Sequence, residues 1–454
     1  MSTYTYTKDW KVEDILEKAK ELEGKSLGEI DLSNWLMKGG NKGRVGNMIQ
    51  SDFFGIEPNS DREADFKHHG IELKVTPVKR KRKDGFSSKE RLVLGMINYN
   101  EDYKLAFENS IPNKKTKNTL LIFYLHEENQ PVNTFKILKT ILFKLPESDL
   151  PQVKVDYENI LMMIREGRAH ELSEKQQKFM SACTKGQGKG KDWVKQPFSK
   201  ELAKSRAYSY KVGYMSAYFR TIMTPNEIEK ICFPKELSFE ENVELTFNKY
   251  IGKTAEDIAK SINYSGSSKD KSYLAKITNK LFGDHTKTNV NNTEEFQKNG
   301  YAIKIVTDRF YTSKNQDMSF QNLDFTEIQF EKFEDSSWYG LFAETKYIVA
   351  VWKEYEENKY RLLRYIYWTP DQYFISQAEK IYNHIQNMLL KDKIVITKDR
   401  SWKDNLPKKN CIKPFQIRPK GTKQNSCVTL PNGQVIKKKT FYIDKEYIRN
   451  IVGL

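Results

Sequence analysis

Ala64-Asp-Phe-Lys-His-His-Gly-Ile-Glu-Leu-Lys-Val-Thr-Pro77 is the stretch on which the reading turns. From Phe66 to Val75 apolar and polar residues alternate, which is the period of a half-buried strand. In such a strand Glu72 and Lys74 stand two residues apart and share a face, while Leu73 points into the core. Asp65 precedes the strand across a turn containing Gly70, so its carboxylate can return towards Glu72. Pro77, with no amide hydrogen to give a ladder, is expected to end the strand. Two acids and an ammonium gathered in this way suit hydrolysis of a phosphodiester. Paired carboxylates hold Mg²⁺, a hard cation that keeps several waters and meets substrate phosphate directly. The ion stabilises developing charge and acidifies water, and Lys74 orients that water or neutralises the transition state. A bare Glu-x-Lys is common on solvated strands. Here an aspartate at suitable spacing, an apolar strand and a basic chain set it apart. His68 and His69 are neighbours in a turn and point apart, so they read as surface or DNA-facing residues rather than ligands.

Outward from this strand, Val12–Leu22, Leu27–Leu36 and Val45–Phe54 carry helical apolar spacing, the last closed by Gly55 and Pro58. Leu92–Asn98 and Leu120–Leu125 have strand length, and Asp156–Arg168 reads as a helix. Helices flanking a central mixed sheet, an α/β architecture, are the result. Among 454 residues, 76 Lys and Arg face 60 Asp and Glu, a formal charge of +16 that favours a polyanion such as nucleic acid. The longest apolar run, Leu120–Leu125, is far too short to span a bilayer. Met1–Trp10 lacks an apolar signal core. Cys183, Cys232, Cys411 and Cys427 show no CxxC spacing, which argues against a zinc site and a disulfide framework. A reducing, cytoplasmic setting with no membrane partner is expected.

The chain also repeats itself. Asn41–Gly55 is echoed by Lys269–Gly283, and Ala64–Lys74 by Glu294–Lys304, in the same order and about 230 residues downstream. Two domains are expected, 1–224 and 237–454, with the boundary around Pro225 and Pro234. In the second copy Glu295 falls at the Asp65 position, Lys304 at the Lys74 position, and Ala302 replaces Glu72.

These residues resemble a known family. Lys42-Gly-Arg-Val-Gly-Asn-Met-Ile49, then Asp65-Phe66, then Gly70–Pro77 are similar to the MutH family of GATC-specific endonucleases. Leu22-Glu-Gly-Lys-Ser-Leu-Gly28, Lys114-Lys-Thr-Lys-Asn-Thr-Leu-Leu121 and Asp156–Arg168 extend the likeness over most of residues 10–220. In the second half Phe415-Gln-Ile-Arg-Pro-Lys420 resembles the family's DNA-recognition segment, and Leu430–Lys438 the segment after it. A duplicated chain looks like the family's Sau-three-A type of restriction endonuclease. The resemblance implies two tandem restriction-endonuclease-like domains and cleavage of double-stranded DNA at GATC, 5′ of the guanine, with Mg²⁺. It implies a catalytic first domain and a second domain that binds DNA as an allosteric effector without cutting.

Residue by residue, the resemblance makes Asp65, Glu72 and Lys74 catalytic, with Asp65 and Glu72 on the metal. Lys115 falls nearest to a further family lysine, with Lys114 and Lys117 close by. Gln50 stands where the family carries a glutamate, and its amide oxygen is expected to reach the metal shell. DNA contacts are expected from Thr184 and Lys185, from Arg206, Ser209 and Lys211, and in the second domain from Arg418, Pro419, Lys420, Lys437 and Lys438. Tyr208 and Tyr210 read equally as DNA-facing or core aromatics. The basic runs Lys79–Lys83 and Lys437–Lys439 and the glycine-rich Gln187–Lys191 read as phosphate-contacting segments, which add affinity but little sequence choice. Two-fold symmetric DNA suggests a homodimer on the target. The rival readings are a mismatch-repair nickase activated by a partner and, from another class, a non-cutting DNA-binding regulator.

Overall fold

The computed structural model describes residues 5–454 apart from 39–42, 59–62, 82–84, 128–129, 186–191, 225–229, 232, 235, 284–288, 312–316, 399–401, 410 and 421–425. It falls into two compact units, Met1–Asn226 and Glu227–Leu454.

In the first unit β1 (Glu72–Lys81) pairs with β2 (Gly85–Ser88), antiparallel, and β3 (Leu92–Met96) leaves for a second sheet. β4 (Thr119–Leu125) runs parallel to β1 with Thr119 opposite Glu72, and β5 (Ile137–Leu142) closes the order β2-β1-β4-β5. The side chains of β4 are buried on both faces because helices cover both. Leu73, Leu120 and Ile122 pack with Ile15 of α1 (Val12–Lys20), Leu27 of α2 (Leu27–Ile30) and Met48 of α3 (Arg44–Met48). On the other face Leu121 and Phe123 meet Phe219 and Tyr157. The second sheet has the order β3-β9-β6, with β6 (Met180–Thr184) and β9 (Arg206–Tyr210) antiparallel. Between them lies a two-residue ribbon, β7 (Trp193–Val194) with β8 (Ala203–Lys204). Helix α4 (Ile111–Lys117) lies against β3, where Gly95 leaves no room for a side chain: a Cβ there would sit 2.7 Å from Ile111 Cγ2. Helices α5 (Leu150–Arg165) and α6 (Val212–Met223) complete the unit.

Three sequence expectations are corrected here. The strand begins at Glu72, not Phe66: Phe66 and Ile71 only bridge each other across a tight turn, Lys67–His69, closed by Gly70 at φ +63°. Pro77 does not end it. The proline's carbonyl faces the β2 side and accepts from Lys89 N at 2.9 Å, and pairing with β2 starts one residue later, at Val78 opposite Ser88, so its missing N–H removes no ladder bond. Consequently Lys79, Arg80 and Lys81 are paired strand residues; Arg82 and Lys83 lie outside the described residues. Finally, α3 widens after Met48 into a π turn, Ile49–Phe53, which carries Gln50.

The second unit has β10 (Tyr301–Asp308) parallel to β12 (Lys346–Glu356), which turns back on β13 (Lys359–Trp368). β11 (Met318–Asn322) and β16 (Phe415–Pro419) flank β19 (Lys439–Ile443), all antiparallel. The ribbon β17 (Cys427–Thr429) with β18 (Val435–Lys437) lies between β16 and β19 as β7–β8 lies between β6 and β9, and the ribbon β14 (Ile396–Lys398) with β15 (Trp402–Asp404) is an addition. Thus β10-β12-β13 repeats β1-β4-β5, and β11-β19-β16 repeats β3-β9-β6. Among the described residues no helix is long and apolar enough to cross a membrane.

Candidate active site

Glu72 opens β1 at its border with β4, and the parallel register holds it beside the end of α4. Its Oε1 accepts from Lys74 Nζ at 2.7 Å and its Oε2 from Lys115 Nζ. Of the three lysines near this position, Lys115 is the one the helix turns onto the strand, while Lys114 and Lys117 are exposed. Burial works to raise the Glu72 pKa, but the two ammonium groups outweigh it and hold the carboxyl below its usual range. Asp65 sits alongside. Its Oδ2 accepts from Leu73 N at 2.7 Å and its Oδ1 from Gln50 Nε2 at 3.0 Å. Burial pushes its pKa up, aided by the nearby Glu72 charge and opposed by the Leu73 amide. The structure therefore brings together Asp65, Glu72, Lys74 and Lys115, and adds Gln50.

This donor set fits a divalent ion of the Mg²⁺ kind. Among the described residues no group of three His, Cys, Asp or Glu forms a metal cage. Two carboxylates that leave the remaining positions to water and phosphate are what such an ion takes. Gln50 meets Asp65 through its amide nitrogen, because an amide oxygen would oppose the carboxylate lone pair to lone pair. This contact gives buried Gln50 a positioning role towards Asp65, beside the expected approach of its amide oxygen to the metal shell. Gln50→Ala should lower kcat/KM about tenfold, the worth of one hydrogen bond to a charged group, and raise the Mg²⁺ concentration needed for half-maximal rate. Initial rates across a Mg²⁺ series check this, and unchanged rates and metal dependence would remove the role.

The expected DNA-contacting residues separate into two groups. Thr184 and Lys185 stand at the end of β6, half-exposed and exposed. Thr184 N donates to Glu174 Oε1 at 3.0 Å, and buried Glu174 is itself paired with Arg91 at 2.8 Å. The root of β6 is held by Asp156 of α5, whose carboxylate accepts from Lys178 N, Phe179 N and Met180 N at 2.7–2.9 Å. Neither Glu174 nor Asp156 was singled out from sequence as a support of this strand. Gln187–Lys191 lies outside the described residues. By contrast, Arg206, Ser209 and Lys211 are buried. β9 is the central strand of its sheet and buried throughout. Arg206 donates to Ala182 O at 2.7 Å, Ser209 packs at 3.4 Å from Ser181 Oγ, and Lys211 Nζ is buried on Gln177 O. Tyr208 and Tyr210 are fully buried core aromatics.

In the second unit Arg418, Pro419 and Lys420 are exposed at the end of β16, and Lys437 and Lys438 are half-exposed. Lys439 is not available to DNA, since it is buried and paired with Asp404. The counterpart of Asp65 is also corrected. Ile303 N, which matches Leu73 N, donates to Asn291 Oδ1 at 2.6 Å, so Asn291 fills the aspartate's place. Glu295 instead accepts from Ile231 N at 3.0 Å. Both acids of the first site are thus replaced by uncharged residues, Asn291 and Ala302.

Residues 54–156 match the model of a family described as DNA mismatch repair enzyme MutH. The chain is 32% identical over 359 residues to the type II restriction enzyme Sau3AI of Staphylococcus aureus, covering 76% of this chain and 73% of that enzyme. It is 30% identical over 179 residues to the DNA mismatch repair protein MutH of Actinobacillus pleuropneumoniae serotype 3, covering 38% of this chain and 74% of that protein. The MutH protein of Shewanella woodyi is 27% identical, with 38% and 75% covered.

Proposed function

The chain belongs to the MutH superfamily, in its Sau3AI-type branch of type II restriction endonucleases, and from that membership we propose that it cuts both strands of double-stranded DNA at GATC, 5′ of the guanine, with Mg²⁺ on Asp65 and Glu72. It is a site-specific, metal-dependent deoxyribonuclease. The observation that carries the restriction reading over the nickase is the reach of the likeness. The 359-residue match to the restriction enzyme is longer than either unit, whereas the repair proteins align over 179 residues or fewer.

When bound, the ion stabilises negative charge that builds on the scissile phosphate. Asp65 and Glu72 hold it, and Gln50 and Leu73 N keep Asp65 aimed. Lys74, about a third exposed, leaves Glu72 to donate to a phosphate oxygen or to the attacking water. Lys115 keeps Glu72 ionised. Thr184 and Lys185 read the bases, the lysine donating to guanine O6 and N7 in the major groove. In the second unit Arg418, Pro419, Lys420, Lys437 and Lys438 hold a further duplex as effector, and that unit does not cut.

One site cuts one strand, so two chains meet on the palindrome. Digestion of unmethylated and adenine-methylated plasmid, with the ends sequenced, tests the specificity: 5′ overhangs reading GATC are expected, and nicked circles alone would favour the repair activity. A plasmid with two target sites should be cut faster than one with a single site, and added GATC duplex should rescue the latter. Equal rates and no rescue would remove the effector role.

A further inference from the structure

The second unit keeps one member of the first unit's catalytic set. Asn291 and Ala302 have replaced the acids. Counting back four residues from Tyr347, the strand partner of Ala302, gives Ala343 where the first unit has Lys115. Lys304 remains, with no acid in reach among the described residues, and it turns away from its own sheet. Its Nζ donates to Ser319 O on β11 at 2.9 Å and lies 4.2 Å from the centre of the Phe320 ring. Lys420, at the end of β16, brings its Nζ to 3.4 Å from the next carbonyl, Phe320 O. Two ammonium groups therefore stand on consecutive carbonyls of one strand.

Among the described residues neither lysine forms an ion pair. Each ammonium has three donors and gives one to a carbonyl. The arrangement is unfavourable as it stands. Burial, and then the charge of Lys420, pull Lys304 down to about 8, and burial pulls Lys420 down as well. A monoanion placed between them would relieve the repulsion and accept the remaining donors. Lys420 N also donates to Lys438 O at 2.9 Å, which sets the half-exposed Lys437–Lys438 strand end beside the pair. The cationic surface thus continues beyond a single anion's width, as a polymer of phosphates requires.

We propose that the vestigial catalytic site of the second unit is a metal-free seat for one backbone phosphate of duplex DNA, gripped by Lys304 and Lys420. The proposal rests on the reading that this unit binds a duplex. Substitution of both acids has converted a site that needs a cation to approach phosphate into one that binds phosphate directly.

The test uses the full-length chain in EDTA, which prevents cutting, and a short GATC duplex followed by titration calorimetry. Three duplexes should bind per pair of chains, one shared by the two first units and one on each second unit. Lys304→Met, which keeps the buried stem, and Lys420→Gln, on an exposed side chain, should each weaken the second-unit site about tenfold or more. Each should also reduce that site's log–log salt slope by about 0.9. A methylphosphonate walked along the duplex should find one position that reproduces the loss in the wild type and adds nothing in Lys304→Met. Matched ionic strengths of inorganic phosphate and chloride should leave the second-unit duplex equally bound. If Lys304→Met misfolds, Lys420→Gln alone decides. Wild-type affinity and slope in a folded variant, no coupled phosphate position, or displacement by inorganic phosphate would overturn the seat while leaving the unit a DNA-binding one. A wild type that binds only the duplex shared between two chains would overturn both.

Discussion

Glu72→Gln is expected to slow cleavage of a GATC plasmid by about a thousandfold or more while leaving DNA binding in EDTA intact. The substitution keeps size and shape and removes one charge. That charge does two things in the structure. It is half of the anionic pair available to a divalent ion, and it is the counterion of both Lys74 and Lys115. Losing it weakens metal capture and leaves two half-buried ammonium groups facing each other, at a centre where removal of one electrostatic stabiliser commonly costs two to three orders of magnitude. Initial rates on supercoiled DNA measure the first effect, and gel shift in EDTA the second. A variant cutting within tenfold of wild type would place the chemistry elsewhere. Weakened binding in EDTA would mean that Glu72 supports the fold instead.

Asp156→Ala should destabilise the first unit by about 3 kcal/mol or more, visible as a fall in melting temperature of roughly 6–12 °C. The carboxylate is almost wholly buried and accepts three successive backbone N–H groups from Lys178 to Met180, with Gln152 Nε2 as a fourth donor at 3.0 Å. Alanine would leave those donors buried and unpaired. Asp156→Asn, which retains one acceptor oxygen, should lose less than half as much. Because the anchored backbone runs directly into Thr184 and Lys185, Asp156→Ala should also weaken discrimination between GATC and single-base variants more than it weakens binding to unrelated DNA. Thermal unfolding and competition binding separate the two effects. A melting temperature within 2 °C of wild type, roughly the spread of a neutral surface change, would show that water replaces the carboxylate.

The active-site cluster was legible because its logic is local. Glu72 and Lys74 share a face by strand geometry alone, and Asp65 is tied to the intervening Leu73 amide. Lys115 emerged from resemblance, and its contact with Glu72 depends on the β1–β4 register, which no local pattern specifies. The burial at and just after β9 was not legible, for a different reason. Arg206 and Ser209 on β9, and Lys211 just after it, were expected at DNA from the resemblance, and a likeness in sequence order carries no information on burial. β9 has no solvent face, since β3 and β6 flank it and side chains cover both surfaces. Arg206 Nη1 and Lys211 Nζ donate to backbone carbonyls inside the unit, while Arg206 Nε is buried without a hydrogen-bond partner among the described residues. Asn291 was passed over in favour of Glu295 for a related reason: alignment weighs charge, whereas the position is defined by which side chain accepts the Ile303 amide.

Helix α4 is only seven residues long, yet it touches both sheets of the first unit. Lys115 extends from it to Glu72, Ile111 is pressed into the gap at Gly95 of β3, and Thr116 Oγ1 shares a buried 3.0 Å hydrogen bond with the Tyr210 hydroxyl of β9. The sheet that carries β6, the proposed reading strand, and the sheet that carries the acids are therefore bolted to one small rod. Anyone altering β6 or β9 to change the target sequence will tilt that rod and retune the hydrolytic step with it. Recognition and turnover in this enzyme have to be redesigned, and screened, as a single trait.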